Sequence, residues 1–146
     1  ENPYTVGDTV VVCSLAADAE LDRERLLEAV REAKERDTAE NQSFFNMAEG
    51  MALYRCGKYQ EALERIPEVN WEEGAFNQVY VPLYRAMASH QLGDQKNAKR
   101  YLEKGRQVIA TQLPTPEGEL SQWRDRSTDW CMAQMALKEA EALINP

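Results

Sequence analysis

Histidine and cysteine, the side chains that most often mark metal or nucleophilic chemistry, are scarce in this sequence. His90 is the only histidine in 146 residues, and Cys13, Cys56 and Cys131 are odd in number and far apart. No C-x-x-C occurs, so neither a zinc site nor a disulfide framework is expected. The three cysteines read as small, buried apolar residues. A lone histidine with no Ser or Cys and acid grouped beside it makes no triad. The phosphate-loop, dinucleotide and H-E-x-x-H patterns are missing, as is an inward Glu-x-x-His pair for a di-metal bundle. The expectation is no enzyme, no cofactor and no metal. Positive charge is short as well. Lys and Arg number 17 against 25 Asp and Glu, a formal charge of −8. No basic stripe is visible, which argues against a nucleic-acid partner and against an anionic membrane surface. No run approaches the roughly 20 apolar residues needed to span a bilayer, and no leader is expected. A reducing, cytoplasmic setting fits. Glycine and proline are few, at seven and six, so long elements with short connections are expected. The chain opens Glu1-Asn2-Pro3 without Met and reads as a piece of a larger protein.

What the sequence does have is helical periodicity. Asp22 is a good N-cap for a helix over 22–36, with Leu26, Leu27, Val30 and Ala33 as its apolar stripe. A second amphipathic stretch, 43–56, ends at Gly57, which suits the left-handed position after a helix. A short helix, 58–66, is stopped by Pro67. Gly93 ends a helix reaching back to about 78–81, with Pro82 tolerable in its first turn. Asp94 caps the next, 95–111. A Pro-rich break over 113–118 follows. The last helix covers 127–144, with Trp130, Ala133, Leu137, Ala140 and Ile144 on one face. Val10-Val11-Val12 is β-branched and looks locally like a strand.

A repeat underlies the middle of the chain. Met47 to Gly57 aligns with Leu83 to Gly93 at an offset of 36, and Ala62 then meets Ala98 and Ile66 meets Leu102. A small residue (Gly50, Ala86) allows close approach of a partner helix. The glycine turns the chain, and a second small residue (Ala62, Ala98) receives the first helix. That is an antiparallel helix pair, repeated.

At Gly50, Gly57, Tyr59 and Ala62, and again at Ala86, Gly93 and Ala98, the sequence resembles the tetratricopeptide repeat family over about residues 43–105. It departs from the pattern where Glu49 and Arg85 replace a usual Leu, where Gln95 replaces an aromatic, and where Pro67 cuts the first pair short. The insert after Pro67 is expected to bury Trp71 and Phe76. The whole chain also resembles the helical-repeat tails of large bacterial multidomain proteins, often behind a kinase or propeller module. Asp129-Trp130 and the Ala/Glu-rich end resemble their capping helix. That wider resemblance turns the reading of residues 5–15 from strand to helix, because a lone strand would have no partner. The resemblance implies an all-α fold of helical hairpin repeats in a right-handed superhelix. One domain over 1–146 would contain an N-terminal pair (5–36), two repeats (43–66 and 78–111) and a capping helix (127–144).

The function such a fold implies is binding, not catalysis. Stacked pairs form a concave surface for a peptide, a helix or another domain of the same chain. In this family the first helix of each pair lines it. The matching residues are Phe44, Met47, Met51 and Tyr54, then Tyr80, Leu83, Met87 and His90. The family's carboxylate-gripping Lys, Arg and Asn are missing from these positions, so an apolar or amphipathic segment is expected. Met51, Tyr54, Met87 and His90 are expected to form a partly exposed patch, and the competing reading makes such residues core between pairs. The alternative function is a structural spacer or homo-oligomerisation segment; the chain is expected to be a monomer or a weak homo-oligomer.

Overall fold

The computed structural model describes residues 2–17, 20–37, 41–66, 79–113 and 127–145. Among them are seven helices and no strand: α1 (Pro3–Leu15), α2 (Arg23–Arg36), α3 (Gln42–Arg55), α4 (Tyr59–Arg65), α5 (Val81–Gln91), α6 (Gln95–Gln112) and α7 (Ser127–Ile144). The all-α expectation holds. Trp71, Phe76, Pro67, the helix start near 78 and the Pro-rich break after Leu113 lie outside the described residues. The chain divides into two compact units, Glu1–Glu68 and Val69–Pro146.

In the first unit α1, α2 and α3 pack against one another, and α4 folds back on α3. Residues 47–54 of α3 are all buried, which makes α3 the central helix. The β-branched Val10-Val11-Val12 run is helical. Val10 and Val11 are buried while Val12 is left exposed, so packing against two neighbouring helices overrides the local strand preference. Asn2 caps this helix by accepting from the Tyr4 amide at 3.0 Å, and Pro3 occupies its first turn. Gly7 lets α1 approach α3: a Cβ there would lie 2.4 Å from Cε1 of Phe44. Asp22 caps α2 as expected, accepting from the Arg25 amide at 3.0 Å, and Leu27, Val30 and Ala33 form its buried stripe.

The 36-residue recurrence is present in the backbone hydrogen bonds. At the end of α3 the amides of Cys56, Gly57 and Lys58 donate to the carbonyls of Ala52, Tyr54 and Leu53. At the end of α5 Leu92, Gly93 and Asp94 donate to Ala88, His90 and Ser89. Each donor and acceptor of the second set lies 36 residues after its counterpart. Gly57 and Gly93 take φ of 74° and 82°, the left-handed region in which a side chain is strained. Both turns return the chain as an antiparallel helix. Gly50, seven residues before the first turn, would place a Cβ 2.2 Å from Cγ1 of Ile66 at the end of α4. Ala62, Ala86 and Ala98 are fully buried, as small residues at a helix–helix contact should be.

In the second unit α6 packs along α5, and α7 covers both. Gly105 of α6 admits Leu83, whose Cδ2 would sit 2.5 Å from an added Cβ. Asp94 caps α6 through the Asn97 amide at 3.1 Å. Ala133, Ala136, Ala140 and Ile144 form the buried face of α7, while Trp130 and Leu137 are half-buried.

Candidate functional site

The eight residues expected to line a groove lie on α3, on α5 and immediately before α5. Met47, Met51, Tyr54, Tyr80, Leu83 and Met87 are buried, and Phe44 and His90 are half-buried. Their surroundings explain this. Phe44 stacks on Tyr4 of α1 with ring centroids 4.6 Å apart, and its edge meets Phe45. Tyr54 packs on Tyr59 across the turn, with Arg55 5.3 Å from its ring centre. Leu83 fills the space over Gly105. The helix surface that faces a groove in an open stack is committed here to packing, and solvent reaches the set at Phe44 and His90. The phenol of Tyr80 and Nδ1 of His90 are buried and have no hydrogen-bond partner among the described residues. Burial pushes the Tyr80 phenol well above its usual range, with the Asp129 charge adding to the shift.

A different residue dominates the electrostatics of the first unit. Glu49 stands where the repeat pattern has an apolar residue, and it is buried, with 4% of its side chain exposed. Three cations converge on it. Arg31 Nε lies 3.0 Å from one carboxylate oxygen, and Lys34 Nζ and Arg65 Nε lie 3.0 and 3.2 Å from the other. Lys34 also donates to Oδ1 of Asn46 at 2.6 Å. Desolvation raises the Glu49 pKa, but hydrogen bonds from Arg31 and Lys34 and the charges of Lys34 and Arg65 outweigh it, leaving a net lowering. The carboxylate therefore stays ionised and ties α2, α3 and α4 together. A proton donor or shuttle would need the opposite shift. Arg31, Lys34 and Arg65 also border an open depression shared with Glu35 and Gln42.

The same two positions in the second unit carry other chemistry. Thirty-six residues after Glu49 and Arg65 come Arg85 and Tyr101, and the Arg85 guanidinium lies 4.9 Å from the Tyr101 ring centre. An ion pair in one hairpin is thus a cation–π contact in the next. The sequence signal for both is the departure from the usual Leu at 49 and 85.

The cysteines are free thiols, and the expectation that all three are buried needs correction. Cys13 and Cys56 are half-buried and Cys131 is exposed, because Cys131 falls on the outer face of α7, next to the half-buried Trp130. The Cys56 thiol donates to the Arg23 carbonyl at 3.4 Å, and burial with the Glu24 charge raises its pKa. Among the described residues no three His, Cys, Asp or Glu side chains group as metal ligands, and no helix is long and apolar enough to cross a membrane.

No protein-family model, no curated protein and no solved structure matches this chain.

Proposed function

We propose that this chain is a non-catalytic protein-interaction or scaffold module, a tetratricopeptide-like helical repeat that takes up a peptide, a helix or another domain of its own protein. The observation that supports this reading is the recurrence, 36 residues apart, of a helix pair with the same turn hydrogen bonds and the same left-handed glycine. A hairpin copied within one chain is the building plan of repeat proteins, whose stacked units present an extended surface to a partner. The ionised groups fit the same reading. Glu49 and its three cations hold helices together, as do Arg106 and Glu141 between α6 and α7.

The test is selection of ligands from a displayed peptide library against the whole chain, followed by mapping on amide chemical shifts. The expected result is saturable binding with shifts confined to a contiguous helical surface. A library that yields no ligand above background would overturn the reading. A tight, concentration-dependent dimer in sedimentation, with no peptide ligand, would replace it with the oligomerisation role.

A further inference from the structure

The charge of the chain is inverted on one helix. α6 carries Lys96, Lys99, Arg100, Lys104 and Arg106 against Glu103 alone, a formal +4, while the rest of the chain carries −12 of the total −8. The expectation that no basic stripe is present fails here, because whole-chain charge averages the helix away. Lys96, Arg100 and Lys104 recur every fourth residue. They lie along one line of the helix about 12 Å long, with cations about 6 Å apart. These three and Lys99 are exposed, and the opposite face, with Ala98, Leu102, Gly105 and Val108, is buried.

Two features separate this stripe from an ordinary solvated helix face. The first is its placement against the helix dipole. Cations stabilise the last turn of a helix and carboxylates the first. α6 has no acidic residue in its first turn and no basic residue in its last, and Lys96, Lys99 and Arg100 crowd its N-terminal end. Helix stability does not explain that order, and the positive end of the dipole adds to the field of the side chains. The second is that three of its lysines make no short-range polar contact. Arg106 is held by Glu141 at 2.8 Å and Glu103 at 3.3 Å, but Lys96, Lys99 and Lys104 have no ion pair or hydrogen bond among the described residues. Among the described residues the carboxylate at this end is the cap Asp94, which is bound to Asn97 and feels the charges of Lys96 and Arg100. Arg100 also lies 4.6 Å from the centre of the half-buried Tyr101 ring.

We infer that the exposed face of α6 docks a short acidic protein segment, with Lys96, Arg100 and Lys104 each facing one carboxylate and Lys99 at the edge. This inference rests on the interaction-module reading and names its partner class. The length argues for a peptide. Three cations about 6 Å apart match carboxylates on alternate residues of an extended segment, which are spaced at about 6.6 Å. A longer polyanion such as a nucleic acid would outrun a stripe about 12 Å long, and α6 has no further cation in its last turn to meet it.

The experiment titrates the whole chain with a labelled 12-residue peptide bearing Glu at alternate positions, with its Gln counterpart and a single-stranded oligonucleotide of equal charge as comparators. Saturable binding of the Glu peptide, weakened several-fold between 20 and 150 mM salt and absent for the Gln peptide, is expected. Lys96→Glu, Arg100→Glu and Lys104→Glu together should weaken it at least tenfold with an unchanged circular dichroism spectrum, since all three side chains are exposed. Reversing three exposed cations elsewhere (Arg25, Arg36 and Lys138, each to Glu) gives the same net charge and should weaken it less than threefold. No binding at low salt, equal loss in both triple variants, or a preference for the oligonucleotide would each overturn the inference. If the acidic peptide fails while a library-selected ligand still binds the α6 variant, this inference falls and the module reading stands. If neither binds, both fall.

Discussion

Replacing the Glu49 carboxylate by its neutral isostere is the sharpest probe of the first unit. In Glu49→Gln the shape and one acceptor remain, while the charge that three cations share is gone and the amide nitrogen must sit beside at least one of them. Removing one partner of a fully buried ion pair costs about 3–5 kcal/mol. Here 46% of the Arg31 side chain and 45% of the Arg65 side chain are exposed, so water recovers most of what those two lose. Lys34 is 19% exposed and keeps Asn46. The expected loss is therefore about 2 kcal/mol at pH 7, read from urea denaturation followed by circular dichroism. The pH dependence has a fixed sign. The folded-state pKa of Glu49 lies below its ordinary value of 4.5. Its contribution is complete above that value and is lost as pH falls through the folded pKa. The gap between wild type and Glu49→Gln should stay constant from pH 8 to 6 and close in acid. Glu49→Leu alone should cost at least as much, because it strands the same cations. Adding Lys34→Met should recover part of the loss, as apolar replacement of a buried pair often does. A Gln variant within 0.5 kcal/mol of wild type, or a gap unchanged at pH 3, would refute the reasoning.

Three further outcomes follow from the hairpins and their cover. Gly57→Ala and Gly93→Ala should each cost about 1–2 kcal/mol in denaturant titrations, and by similar amounts. Nothing lies within 4 Å of an added Cβ at either site, so the cost is purely that of left-handed backbone, and Asn should be tolerated better than Ala. Gly50→Ala should lose about 1–2 kcal/mol net, overpacking against Ile66 outweighing the gain in helix propensity; combined with Ile66→Ala, the two changes should cost less than their sum. Ala140→Asp, which places a carboxylate at a fully buried position of α7, should lose more than about 3 kcal/mol, while Ala142→Asp on the exposed side should change the denaturation midpoint little.

Much of the helical plan is legible in the residues themselves. Asp22 and Asp94 before apolar periodicity, and Gly57 and Gly93 after it, mark helix ends through backbone chemistry that needs no tertiary information, and those ends lie within one or two residues of the reading. Burial is a different matter. Periodicity tells which face of a helix is apolar but not how many neighbours will cover it. α3 is covered along residues 47–54 by helices on several sides, so Met51 and Tyr54, read as a surface, are buried. Val10 and Val11 show the same limit in reverse, since the neighbours that bury them also make them helical. Glu49 was hidden because its burial depends on Arg31, Lys34 and Arg65 arriving from two other helices. The basic face of α6 does not show in the net charge of −8, because the acidic residues elsewhere outweigh it.

The exchange of Glu49 and Arg65 for Arg85 and Tyr101 also bears on how the chain reaches its fold. Two hairpins with the same turn and the same small residues at their contacts invite a mistake, in which the first helix of one copy pairs with the second helix of the other. The lateral contacts penalise both errors. If α3 lay on α6, Glu49 would face the Tyr101 ring and lose the Arg65 guanidinium. If α5 lay on α4, Arg85 would meet Arg65, cation against cation. The proper pairings are an ion pair in one hairpin and a cation–π contact in the other, and neither exchange reproduces them. The copied backbone therefore supplies the shape of a hairpin, and the uncopied pair of side chains makes the two copies chemically distinct at the contact where they would otherwise be interchangeable.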